Sequence, residues 1–194
     1  MKKIALVWFR RDLRTAENNA FIEACSQYDS VIPLYIYDET HPNGITGAQT
    51  WWLHHSLTAL NKRLNTQGLT LILRKGDPLN ILRQIIKDFN VDALYWSRCY
   101  EPYEISRDTA IKSRLIEEGV AVQSFNSSLL NEPWTIKNSS GDFFKVFTPY
   151  WRCCRKNLLA PSIQTANPKK TKLDIASDAL ESWNLLPTLD WAKD

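Results

Sequence analysis

The segment Ile4-Ala5-Leu6-Val7-Trp8-Phe9 is an unbroken apolar run that ends abruptly at the charged stretch Arg10-Arg11-Asp12-Leu13-Arg14. An apolar run without period-2 alternation suits a strand covered on both faces, as in a parallel sheet flanked by helices. Its polar end places a charged loop at the carboxyl edge of that strand, where open α/β sheets bind their ligands. The same charges also suit a loop that is merely solvated, so the choice falls to the rest of the chain.

A βα alternation follows. Residues 17–27 carry Ala20, Phe21, Ala24 and Cys25 at helical spacing behind Thr15 as a candidate cap, and the apolar run 31–37 ends at Asp38-Glu39. Leu53, Leu57, Leu60 and Leu64 form the core stripe of a long helix stopped by Gly68. Residues 69–73 read as a third strand, and Leu82, Ile85, Ile86 and Phe89 mark a helix with Pro78 at its first position. Residues 91–96 read as a fourth strand; Ile105, Ile111, Leu115 and Ile116 mark a helix closed by Gly119, before a fifth strand at 120–125. Alternation at this spacing implies right-handed crossovers. The fold expected is α/β, a Rossmann-like doubly wound five-stranded parallel sheet in the order 3-2-1-4-5 with helices on both faces and an irregular C-terminal linker. Residues 1–130 form the α/β domain, 131–160 an irregular extension with one helix at 150–158, and 161–194, with the Lys169 to Lys172 run, a linker.

A chain of 194 residues supports one domain with a substantial core, and a net charge of +3 is too small to argue for nucleic acid on electrostatic grounds. Cys25, Cys99, Cys153 and Cys154 have no metal-ligand or CxxC spacing, and the chain opens into a short strand rather than a signal-peptide core. The expectation is a reduced, cytoplasmic protein without a membrane span. His54 and His55 are adjacent and project about 100° apart on a helix, which disfavours a two-histidine metal site.

No Walker loop, GxGxxG turn or GxSxG elbow is present, so a phosphate cradle on a Gly-rich turn and a nucleophile elbow are both disfavoured. What remains is a crevice at three strand ends, formed by residues 10–14, 35–39 and 97–104. It offers aromatic walls from Tyr35, Tyr37 and Tyr100, carboxylates from Asp38, Glu101 and Glu104, and guanidiniums from Arg10, Arg11 and Arg98. A flat heteroaromatic, partly polar ligand suits such a set. Glu101-Pro102 also suits a plain helix start, with Glu104 favourable to the helix dipole.

At these residues the chain resembles the DNA photolyase and cryptochrome family. Leu6-Val7-Trp8-Phe9-Arg10-Arg11-Asp12-Leu13-Arg14 with Glu17-Asn18 resembles the family's opening signature. Trp51-Trp52-Leu53-His54-His55-Ser56-Leu57, Gly76-Asp77-Pro78, Trp96-Ser97-Arg98-Cys99-Tyr100-Glu101-Pro102, Arg107-Asp108 and Val146-Phe147-Thr148-Pro149-Tyr150 follow in the family's order. The likeness runs from about residue 4 to residue 191 and is strongest to bacterial cyclobutane pyrimidine dimer photolyases. Glu17 stands where the family usually has Asp, and Ser97 where Asn is common.

The resemblance implies an amino-terminal antenna domain. Such a domain holds methenyltetrahydrofolate, an 8-hydroxydeazaflavin or occasionally FMN, and passes excitation to FAD in a helical domain that this chain does not include. It implies that damaged DNA is a partner of the full-length parent, a carbon-carbon lyase, and that the 194 residues alone are inactive. Glu104 aligns with a carboxylate that contacts the pterin in folate-binding members. Arg10, Arg11, Tyr35, Ile36, Tyr37, Asp38, Cys99, Tyr100 and Glu101 align with segments lining the deazaflavin or flavin pocket, although Cys99 replaces an acidic residue of some deazaflavin binders. Competing readings are a cryptochrome photosensor, a stand-alone nucleotide-binding α/β module, and a structural remnant with an empty crevice.

Overall fold

The computed structural model describes residues 2–157, 164–169 and 173–189. Five strands, β1 (Ile4–Phe9), β2 (Ser30–Tyr37), β3 (Ile72–Lys75), β4 (Ala93–Ser97) and β5 (Ala121–Phe125), form one sheet in the order β3-β2-β1-β4-β5. Every pairing is parallel, from Ile4 against Ser30 to Trp96 against Ser124. This is the expected doubly wound order, with β1 and β4 adjacent where the winding reverses.

The unalternating run of β1 is buried on both faces. Ala5, Val7 and Phe9 enter a core with α1 (Asn19–Gln27) and α2 (Ala48–Thr66), while Leu6 and Trp8 enter one with α3 (Pro78–Phe89) and α4 (Pro102–Glu117). The leucine stripe 53, 57, 60 and 64 is buried as its spacing requires. At the α2 terminus the Leu69 and Gln67 amides both donate to the Leu64 carbonyl, a closure that needs Gly68 at φ +78°.

Several expected boundaries move for local reasons. The first helix begins at Asn19, and its cap is Asn18, whose side chain accepts from the Phe21 amide at 3.1 Å, rather than Thr15. Glu17 takes a left-handed conformation at φ +52°, and its amide donates to the Gln164 carbonyl, so the helix cannot begin there. The third strand pairs over Ile72–Lys75 rather than 69–73, because Leu69 and Leu71 are buried before the pairing starts and the Leu71 amide donates to Asn61 Oδ1 instead. On α4 the buried stripe is Glu104, Asp108, Ile111 and Leu115, leaving Ile105 and Ile116 half exposed. The expected helix at 150–158 is α5 (Phe147–Asn157), with Pro149 in its first turn, where a missing N–H removes no helical bond; Leu158 lies outside the described residues.

The expected linker lies against the domain. Ala16 bridges Thr165, Leu173 and Ile175 pack on the second core, and Trp183 and Leu185 are buried in the first. Between them the Leu73 amide donates to Ser177 Oγ, and the Asp178 amide donates to the Leu73 carbonyl. The tail thus covers the edge of β3, a strand that would otherwise offer unpaired backbone groups. Of the Lys169 to Lys172 run, Lys169 pairs with Asp29 at 2.8 Å, and the other three residues lie outside the described set. Among the described residues no helix is long and apolar enough to cross a membrane.

Candidate functional site

The carboxyl ends of β1 and β4 rest on a buried ionic network. Arg10 donates to Asp108 and to the Ser97 carbonyl, with the guanidinium carbon 4.8 Å from the Trp8 ring centre. Asp108 also accepts from Arg107 Nη2 at 2.9 Å, and Arg107 Nη1 donates to Asp38 at 2.9 Å. The network joins the ends of β1 and β2 to α4. The two aligned tryptophans beneath it, Trp8 and Trp96, meet edge to face at 5.9 Å.

Asp12 shapes the first loop. Its carboxylate is buried and accepts from the Arg10 amide at 3.0 Å, Asn18 Nδ2 at 2.8 Å and Ser97 Oγ at 2.5 Å. Ser97 therefore fills its position with a contact to the loop.

At the rim Arg11 is largely exposed and bridges two carboxylates, Glu101 and Glu104, the second at 2.6 Å. Glu104 is buried and also receives His41 Nε2 at 3.3 Å. Burial disfavours ionisation of Glu101, but backbone hydrogen bonds and Arg11 outweigh it and hold its carboxyl below the usual range. Burial pushes the Cys99 thiol up, against the pull of Arg10.

Between these ends lies a cleft of about 330 Å³, lined by Arg11, Asp12, Arg14, Ser97, Arg98, Cys99, Tyr100, Glu101, Ser128 and Leu129. Its far wall is latched by Glu132, which accepts from Arg98 and, at 3.0 Å, from the Tyr100 hydroxyl. Arg98 also donates to the Ser124 carbonyl at 2.7 Å.

The structure therefore divides the candidate residues. Arg11, Cys99, Tyr100 and Glu101 line the cleft, and Glu104 adjoins it through Arg11. Arg10 and Asp38 are committed to ion pairs. Tyr35 and Tyr37 do not form open walls, because the Trp183 ring packs at a tilt against them, with ring centres 6.2 and 5.5 Å apart. Ile36 points to the opposite face and is buried in the second core, as alternation along β2 requires. Sequence reasoning missed Asp108 as a network centre, although its place four residues after Glu104 on the stripe of Ile111 and Leu115 carries the signal. Nothing in the local sequence signals Glu132, Ser128 or Leu129.

These features define a doubly wound α/β domain with a cleft at its topological switch point. The DNA photolyase family model matches residues 5–169, and the chain belongs to that family. A deoxyribodipyrimidine photo-lyase of Agrobacterium fabrum is 40% identical over 192 residues, covering 97% of this chain and 40% of the relative. Cryptochrome-1 of Arabidopsis thaliana is 32% identical over 172 residues, 86% of this chain and 25% of the relative. The crystal structure of a bacterial class III photolyase from Agrobacterium tumefaciens superposes with a TM-score of 0.89 at 37% identity, covering 98% of this chain and 40% of that one. An archaeal photolyase from Sulfolobus tokodaii, solved with two FAD molecules, shares the fold at a TM-score of 0.77 and 23% identity. The chain spans about 40% of the length of the Agrobacterium photolyases it matches.

Proposed function

We propose that this chain is the antenna-chromophore-binding domain of a deoxyribodipyrimidine photolyase. The cleft between β1 and β4 carries the reading: about 330 Å³, with Tyr100 and Leu129 as apolar surface and Arg11, Arg98 and Glu101 as polar groups. That volume and mixture suit one flat heterocycle with polar edges. The fitting groups are methenyltetrahydrofolate, an 8-hydroxydeazaflavin or FMN, any of which supplies near-ultraviolet or visible absorption when bound. Tyr100 offers a ring face, and the Arg11–Glu101 pair offers donors and acceptors at the rim.

In the full-length parent this region would pass captured energy to FAD in a helical domain, where light-driven splitting of pyrimidine dimers in DNA takes place. A face suited to that domain is present on and beside α5. Phe147 stacks on Trp151 at 6.3 Å, and Trp134, Phe143 and Val146 are largely exposed with them. The cryptochrome-1 likeness supports a photosensor as the second reading; both share the cleft and differ in the output of the remaining chain.

The test is the absorption spectrum of purified chain after incubation with each of the three chromophores and gel filtration. Wild type is expected to retain one with a shifted band, and Tyr100→Ala to lose it. Retention of none of them by wild-type chain sinks the proposal.

A further inference from the structure

We infer that Arg14 is an anion subsite at the switch-point cleft, receiving the phosphate or carboxylate tail of a ligand whose ring occupies the remainder. The inference rests on the proposed chromophore role of that cleft. Three guanidiniums line it, and two are already neutralised: Arg11 by Glu101 and Glu104, and Arg98 by Glu132. Arg14 is exposed, and among the described residues its guanidinium donates only to two carbonyls, of Glu17 at 3.2 Å and of Ser127, both through Nη2. No carboxylate lies within ion-pair distance of it among the described residues, and its Nε and Nη1 have no protein partner there.

Of the two carboxylates in the lining, Glu101 is paired with Arg11, and Asp12 is buried with its oxygens occupied by the Arg10 amide, Asn18 and Ser97. The α1 terminus adds to the positive potential, since the Asn19 amide donates to Oγ of Ser127, the residue whose carbonyl holds Arg14. A guanidinium fixed by one edge, with its other donors free, presents a fork that matches an oxyanion. The cleft thus selects heterocycles by their tails as well as by their rings.

The test uses matched pairs that differ only in the anion: FMN against riboflavin, and methenyltetrahydrofolate against its glutamate diamide. Affinities are measured for wild type, Arg14→Gln and Arg14→Lys at low and high salt. The expected result is that the anionic-tailed member of at least one pair binds about tenfold tighter or more to wild type, as a charge-assisted bond implies. Gln is expected to abolish that preference while leaving the neutral-tailed ligand unaffected, Lys to restore part of it, and salt to reduce it. The pair that responds separates a phosphate from a carboxylate. Ring binding without a tail preference, or a preference unchanged in Arg14→Gln, overturns the subsite and leaves the cleft reading intact. Failure of every ring to bind overturns the cleft reading, and the subsite with it.

Discussion

Arg10 and Asp108, 98 residues apart in the chain, form an ion pair at the carboxyl end of the sheet with side chains only 8% and 12% exposed. Arg10 leaves β1 and Asp108 faces inward from the second turn of α4, so the pair fixes the helix against the strand it crosses beside. Arg107 joins the same carboxylate and continues to Asp38 after β2. The charged residues that end the apolar runs are therefore mostly used to hold the sheet edge rigid, and the cleft is built on that support.

Replacing Asp108 by Asn should cost about 3–5 kcal/mol, because it leaves the buried Arg10 guanidinium without a counter-charge, whereas Arg107 keeps Asp38. Urea unfolding of wild type and variant measures this directly. A loss below about 1 kcal/mol would show that the network is well hydrated rather than buried.

Trp183→Ala should destabilise the domain by about 3 kcal/mol or more, the usual scale for truncating a buried aromatic side chain. Its ring covers Tyr35 and Tyr37, and it anchors the tail segment that crosses β3. Limited proteolysis should then cut the tail of the variant well before wild type. Equal protection in both would mean that the bonds from Leu73 to Ser177 and Asp178 suffice to hold it.

The fold was legible because its signals are local and repeated. Six unalternating apolar residues at 4–9 demand burial on both faces, and the leucine stripe of α2 demands a core face. Boundaries slipped where a distant segment intervened: Glu17 is turned by contact with Gln164, and the start of β3 is decided by Asn61. Of the candidate cleft, only the part at the strand ends was legible. Arg11, Tyr100 and Glu101 come from loops that follow β1 and β4 directly, whereas the burial of Tyr35 and Tyr37 depends on Trp183, nearly 150 residues later. Glu132 belongs to an irregular segment with no periodicity to mark it, and only its bonds to Arg98 and Tyr100 show its use.

Glu101 gives the rim a pH dependence. Its carboxyl is depressed in the folded protein, so its stabilising contribution is present above the unfolded value of 4.5 and is lost as pH falls through the folded one. Both partners are about half exposed or more, which limits the effect to about 1 kcal/mol. Glu101→Gln should be less stable than wild type at neutral pH and equal to it in acid once the pH lies below the folded value. A difference that persists unchanged into acid would mean that the substitution acts through packing.

Glu132 couples the cleft wall to the tyrosine it presents, Tyr100. Burial raises the Tyr100 hydroxyl above its ordinary value, and the hydrogen bond and negative charge of Glu132 raise it further. Because the folded value is the higher one, this stabilisation is complete below about pH 10 and is lost as pH rises through the folded value. Glu132→Gln keeps an acceptor for the hydroxyl but removes the charge that disfavours tyrosinate, so Tyr100 should ionise at lower pH in the variant. Ultraviolet titration against a Tyr100→Phe background isolates its signal from the other tyrosines. Arg98 would at the same time lose its carboxylate and be left facing the cleft with an unmatched charge. An anionic ligand should then bind more tightly at that wall even as the wall itself loosens. A Tyr100 titration unmoved by Glu132→Gln would show that burial alone sets it and that the latch is not closed in solution.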